Sequence, residues 1–180
     1  MFKKLKNNFI FEDYKITKNQ NTYGNLSKSN NYPLSYDYVE TNNVDIFFKV
    51  IPKKYQDKFN LLLMTATANL PAHTDSDILA TINFYINTGE AKTVFYKIIS
   101  SNPKTSKVAG QSNGNVFEIK DLEIYDSFMA NNNEAYVLDI TNPHSVEDVK
   151  SSDIRIAFVL QTTYFSYDEV CAMLIETNNL

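Results

Sequence analysis

Residues 80–88 read ATINFYINT, and the fold turns on how that stretch is understood. Its side chains alternate strictly. Thr81, Asn83 and Tyr85 share one face, while Ile82, Phe84 and Ile86 share the other, which is the period of a β-strand. The polar face is the informative one. A half-buried strand normally turns such a face to water, whereas in a closed barrel or jelly roll one face of every strand lines the interior. An inward set of Thr, Asn and Tyr then describes a barrel that is polar inside, and hence a site.

The surrounding pattern agrees with many short strands. KTVFYKIIS (92–100) follows a turn at 87–90 that contains Gly89, so the two segments read as a hairpin. NLLLMTATANL (60–70), NVFEIKDLEIYD (115–126), EAYVLDI (134–140) and DIRIAFVLQTTYF (153–165) supply further strands, punctuated by SNPK, SNGN, NNN and TNPHS. Helix signals are few. IPKKYQDKF (51–59) reads as a short helix, with Pro52 in its first turn and Tyr55 and Phe59 on one face. In SYDEVCAMLIET (166–177) Ser166 can cap a second helix and Asp168 and Glu169 suit its first turn. This is the pattern of a mainly β jelly roll or barrel with a few flanking helices.

A chain of 180 residues, 43% hydrophobic and 21% charged, is expected to fold as one domain over 1–180. Residues 1–45 read as an N-terminal extension or flap, 60–163 as the β core and 166–177 as a C-terminal helix. Within the extension, 19–43 is polar and Tyr-studded and is expected to be irregular. A net charge of −4 argues against nucleic-acid binding through a basic face. The basic start, MFKKLKNN, lacks the apolar core of a signal peptide, and no apolar run approaches a membrane span. One cysteine, Cys171, excludes an internal disulfide framework and a multi-cysteine metal cluster. Cytoplasmic localisation is the expectation, with no nucleic-acid or membrane partner; oligomeric state is not readable.

The chemistry concentrates in few residues. The chain holds only two histidines. His73 stands two residues before Asp75, and positions i and i+2 of a strand point to one face, so His-Thr-Asp forms a two-point metal clamp. The second histidine, His144, lies in TNPHSVED. Arg155 follows in DIRIAFVLQ, an apolar strand that would otherwise hold Val or Ile. An arginine there needs an acid partner or a wet cavity, since burying it unpaired is costly.

His-x-Asp, a distant His and an Arg one strand later form the two-histidine, one-carboxylate facial triad with its trailing cation. LPAHTD with ATINFYINTG, and NPHSV with the later Arg155, resemble the Fe(II)- and 2-oxoglutarate-dependent dioxygenases over roughly 60–163, and within them the aspartyl/asparaginyl and prolyl hydroxylase-like branches. The resemblance implies a double-stranded β-helix, cupin-like in outline, with Fe(II) on His73, Asp75 and His144. It implies 2-oxoglutarate as cosubstrate, its far carboxylate on Arg155, and O2 at a remaining metal position. Hydroxylation of a C–H bond in a small molecule or peptidyl side chain would release succinate and CO2. One departure stands out. The family often has Arg-x-Ser, whereas here Arg155-Ile156-Ala157 lacks the hydroxyl; Thr81 or Asn83 could replace it.

Other residues read plainly: Tyr85, Phe95 and Tyr96 as core or pocket walls, Asp77 as a rim residue, Glu147 as a solvated loop carboxylate, Lys97 as a surface lysine and Cys171 as a small core residue. Two alternatives stay open. A cupin-like metal protein using Zn2+ would keep the triad and have no use for Arg155. A non-enzymatic β-sandwich would bind a partner through its Tyr-rich N-terminal segment.

Overall fold

The computed structural model describes residues 1–10, 34–38, 44–75, 77–107 and 114–180. Among them the strands are β1 (Phe2–Lys4), β2 (Leu34–Tyr38), β3 (Asn60–Ala66), β4 (Leu70–Thr74), β5 (Ala80–Asn87), β6 (Lys92–Ile98), β7 (Thr105–Lys107), β8 (Asn115–Phe117), β9 (Leu122–Met129), β10 (Ala135–Leu138), β11 (His144–Glu147) and β12 (Arg155–Thr162). Two α-helices, α1 (Asp45–Phe48) and α2 (Tyr167–Glu176), flank them.

Two antiparallel sheets hold these strands, in the orders β1-β10-β5-β12-β3-β2 and β7-β8-β4-β11-β6-β9. Four consecutive strands, β3 to β6, are dealt alternately to the two sheets; β9 to β12 also alternate, β12 inserting between β5 and β3, β11 between β4 and β6, and β10 and β9 pairing with the outer sides of β5 and β6. That interleaving is a double-stranded β-helix, or jelly roll.

The alternation of β5 follows from what each face meets. Ile82 and Phe84 point outward, into a core made with α2 and the N-terminal segments (Leu5, Phe9, Phe47, Val170, Leu174). Phe84 packs edge-on against Phe9 and Phe47, with ring centroids 4.8 and 5.2 Å away. Tyr85 lies instead in the interior cluster with Met64, Ala157 and Val159. The apolar face of β5 is therefore roofed by helix and chain end, and the polar face looks into the barrel.

Local signals fared differently. Ser166 caps α2 in a full capping box, its hydroxyl accepting from the Glu169 N–H and the Glu169 carboxylate accepting from the Ser166 N–H. Cys171 is buried in the core that α2 completes. IPKKYQDKF forms a 3₁₀ helix (Lys53–Lys58) rather than an α-helix, with Tyr55 and Phe59 both meeting Phe165. Phe2–Lys4 and Leu34–Tyr38 add strands to opposite edges of the first sheet, while most of 19–43 lies outside the described residues.

The expected hairpin at 87–90 is corrected. β5 and β6 do not pair; they belong to different sheets. The reversal itself is real but sits one residue later. The Ala91 N–H donates to the Thr88 carbonyl at 2.9 Å, and Gly89 and Glu90 have φ of 54° and 58°, the left-handed pair of a type I′ turn. Its twist carries the chain across the barrel instead of back along a ladder. Gly89 is doubly constrained, because a Cβ there would run into the Asp153 carbonyl oxygen. Asn87 holds the same segment through its amide, which donates to Asp153 Oδ1 at 2.7 Å and the Ile154 carbonyl at 3.0 Å. We expect Gly89→Ala to cost about 2 kcal/mol or more in urea denaturation; a loss below half that would mean the turn relaxes freely.

The β9–β10 junction carries a buried acid. Glu134 accepts from the Asn131 N–H and side-chain amide, both at 3.0 Å, from the Tyr136 hydroxyl at 3.1 Å, and from Lys4 of β1. Burial alone would raise its pKa, but these donors outweigh that and hold it at about 2. A carboxyl depressed in the folded state stabilises above its unfolded pKa, and that contribution disappears as pH falls through the folded one. Stability should therefore drop between pH 4.5 and about 2. Glu134→Gln should flatten that slope in acid unfolding; an unchanged slope would remove Glu134 from the account.

Candidate metal centre

β4 and β11 are neighbours in the second sheet, and their register sets His73 directly opposite His144. The two rings lie 4.5 Å apart by centroid. Both are buried, and both are aimed from behind. His73 Nδ1 lies 2.8 Å from the Pro71 carbonyl and His144 Nδ1 lies 3.0 Å from the Asn142 carbonyl. A carbonyl only accepts, so each Nδ1 carries the proton and each Nε2 presents a lone pair. The carbonyl serving His144 is itself held. Asp139 accepts from the Thr141 hydroxyl at 2.6 Å and the Asn142 amide at 2.7 Å, which fixes that loop.

Asp75 stands one residue past the end of β4, yet its carboxylate still meets the two imidazoles. Oδ1 is 3.7 Å from His73 Nε2 and Oδ2 is 3.6 Å from His144 Nε2. These gaps are too long for direct hydrogen bonds. The three donor atoms all lie within 4.8 Å of one another. Burial, reinforced by repulsion from His73 and opposed by Asp75, pulls the His144 pKa down to about 4, so its imidazole is neutral at pH 7. Two imidazoles and one carboxylate, converging with both Nε2 atoms turned inward, make a donor set suited to a divalent ion that leaves other positions open.

The neighbouring residues of β11 face the other way. The Ser145 hydroxyl is 2.9 Å from the Tyr96 hydroxyl, and both donate to the Glu147 carboxylate. Burial pushes the Tyr96 phenol up to about 12. Glu147 is thus no solvated loop acid but part of a strand, tying β6 to β11 behind His144.

Arg155 opens β12 and is 2% exposed. Among the described residues no acid pairs with it. One terminal nitrogen, Nη2, donates to the Tyr85 hydroxyl at 2.7 Å and the Thr93 hydroxyl at 2.8 Å, and the guanidinium lies 4.7 Å from the Tyr85 ring centre. Nε and Nη1 have no partner. The hydroxyls beside Arg155 are therefore those of Tyr85 and Thr93. Tyr85 was legible from the β5 alternation, since it shares the face of Thr81 and Asn83. Thr93 came with no signal, because nothing local says that β6 stands across from β12.

Thr81 and Asn83 are each 6% exposed, and Thr81 Oγ1 and Asn83 Oδ1 have no hydrogen-bond partner. They line the same cavity as His73, Asp75, His144, Thr93 and Arg155. Its empty space is about 450 Å³, counting the part open to solvent, and the remaining wall is apolar, including Leu34, Met64, Leu70, Ile140, Val146 and Val159. All six residues singled out for metal and cosubstrate thus line one cavity. Asp77, exposed and with φ of 61°, is not among its lining residues.

No protein-family profile matches the chain, and no curated protein sequence matches it. Solved structures give distant likenesses. Vicilin from hazelnut (Corylus avellana) is similar with a TM-score of 0.40 and 11% identity, over 72% of this chain and 28% of that one. A single-substitution mutant of Bacillus subtilis oxalate decarboxylase is similar with a TM-score of 0.36 and 11% identity, over 74% of this chain and 26% of that one. A deletion mutant of the same decarboxylase gives 0.37 and 12%, over 75% and 27%. The chain thus spans little more than a quarter of the length of these neighbours.

Proposed function

We propose that the protein is a divalent-metal enzyme, and specifically an Fe(II)- and 2-oxoglutarate-dependent dioxygenase that hydroxylates a C–H bond of a small molecule or peptidyl side chain. His73, Asp75 and His144 would hold the metal. Arg155, with the Tyr85 and Thr93 hydroxyls around it, would hold the far carboxylate of 2-oxoglutarate. With both bound, the chemistry supplied is reaction of 2-oxoglutarate, O2 and R–H to succinate, CO2 and R–OH.

Arg155 is the observation that carries this reading over a bare metal site. A guanidinium so deeply buried, without an acid and with two nitrogens unpartnered, is costly unless an anion completes it. Its planar fork suits a carboxylate. The chain's own contribution is then positional. The Pro71 and Asn142 carbonyls fix the imidazole tautomers, Tyr85 and Thr93 fix one edge of the guanidinium, and apolar side chains line much of the space between.

The second reading is a cupin-like metal protein that uses Zn2+ or another divalent ion without 2-oxoglutarate. The donor set favours it as much as the first, because two imidazoles and a carboxylate do not select iron. Anaerobic titration with Fe(II) and then 2-oxoglutarate separates the two. A weak visible absorption band that appears only with both, and not in His73→Ala, supports the dioxygenase. Metal binding with no measurable 2-oxoglutarate affinity supports the cupin-like reading, and absence of metal binding overturns both.

A further inference from the structure

We infer that the outward face of β9, with the segments beside it, is a docking surface for a second copy of this chain, and that the protein closes into a two-fold dimer through it. The inference is independent of what the cavity binds.

Register places the face. Thr93 and Phe95 of β6 turn into the barrel, where Thr93 reaches Arg155 and Phe95 joins the interior cluster. Lys92, Val94, Tyr96 and Ile98 therefore turn outward, and so do Met129, Ser127, Ile124 and Leu122, the residues of β9 paired with them. The Ile99 N–H donates to the Asp121 carbonyl at 3.0 Å, which sets Ile99 beside a one-turn 3₁₀ helix, Ile119–Asp121. Nine large hydrophobic side chains are exposed among the described residues, and six of them gather here: Ile98, Ile99, Ile119, Ile124, Tyr125 and Met129. Scattered singly they would need no explanation, but a cluster of this kind marks an interaction surface.

Size and charge name the occupant. The six exposures run from 45% to 61%. At roughly 200 Å² for a fully exposed large side chain, they leave ~650 Å² on each protomer. The largest apolar patch of a monomer is typically ~300–600 Å², and each partner in a stable interface covers ~800 Å². The patch and a narrow rim are therefore enough for a dimer. A surface that meets its own copy doubles any net charge it carries. Here the signs balance: Glu118, Glu123 and Asp126 stand against Lys97, Lys120 and the half-buried Lys92. Lys120 pairs with Glu118, and Lys97 lies 4.1 Å over the Tyr125 ring. On a chain of net charge −4, such a patch neither repels itself nor offers a field that selects a nucleic acid, an anionic membrane or a charged protein.

The mode of contact follows from the strand. β9 is an edge of the second sheet, and a free edge invites strand addition. Here the register shift between Phe95 and Tyr96 leaves Tyr125 as a bulge, with the exposed Glu123 and Asp126 close by. Bulges and charges blunt an edge, so the copies meet face to face through side chains instead of extending the sheet. An isologous contact of that kind closes at two copies.

Sedimentation velocity on the full-length protein, from about 1 to about 100 μM, reads the assembly directly. Wild type is expected to be a dimer with a micromolar or tighter Kd. Ile124→Glu should weaken it at least about a hundredfold, because the contact then buries that carboxylate twice. Ile124 is 61% exposed, so the change spares the core. Ile119→Glu, off the strand, repeats the test should β9 not accept the charge. Ile175→Glu, on α2 and 60% exposed, is the control and should leave the dimer within about twofold. A wild type that stays monomeric throughout overturns the inference, as does a dimer that Ile124→Glu leaves intact. Equal loss in Ile175→Glu would move the contact away from β9, and assembly beyond two copies would mean an open-ended contact; either result rejects the two-fold dimer.

Discussion

Arg155→Ala is expected to weaken 2-oxoglutarate binding at least thirtyfold, from the ~2–5 kcal/mol that truncating one partner of a buried charge pair costs, and to leave metal affinity intact. The reason lies in what the guanidinium lacks. Two hydroxyls satisfy one of its nitrogens and nothing satisfies the others, so its role in the fold is weak and its capacity for an anion is unspent. The variant therefore separates two explanations of a buried arginine. If Arg155 is structural, its removal lowers thermal stability. If it awaits a carboxylate, Arg155→Met should leave the ligand-free unfolding temperature unchanged or raise it, because replacing an uncompensated buried charge by an apolar chain of similar length is neutral or favourable. The same variant should then lose the stabilisation that added 2-oxoglutarate gives wild type. A large drop in ligand-free stability together with normal 2-oxoglutarate affinity would reverse the assignment.

His144→Ala is the second large effect. Removing one of three protein ligands should reduce divalent-metal affinity by more than the roughly 10- to 100-fold typical of losing an outer hydrogen-bond partner. Metal addition should no longer raise the unfolding temperature of the variant. Asp77→Asn is the control, since that side chain is exposed and lies outside the cavity. Retained affinity in His144→Ala would dissolve the triad, and a loss in Asp77→Asn equal to that of Asp75→Asn would mean the carboxylate had been misassigned.

Much of the architecture was legible because it depends on alternation. Strict period two in 80–88, with the polar half needing an interior, announced a two-faced strand in a closed β structure, and β5 has that arrangement. The meeting of His73, Asp75 and His144 was legible too, since scarcity of histidine left few ways to place them. What could not be read was pairing. Gly89 and Glu90 encode a reversal, but a reversal does not say whether the next strand joins the same sheet, so the hairpin was wrong. The same blindness hid Thr93, which reaches Arg155 only because the two sheets face each other. Glu147 was misread for a related reason: its partners Tyr96 and Ser145 converge only after β6 and β11 pair.

β3 pairs with β2 on one side and on the other with β12, the last strand of the jelly roll, while β4 lies between β8 and β11. During synthesis β3 to β6 therefore emerge before the strands of β9 to β12 that join them, and pairings between distant segments are slow to form. His73 and Asp75 emerge long before His144 and Arg155. A nascent chain thus cannot assemble the complete donor set until nearly all of the barrel has been made, so capture of metal coincides with closure of the fold instead of preceding it.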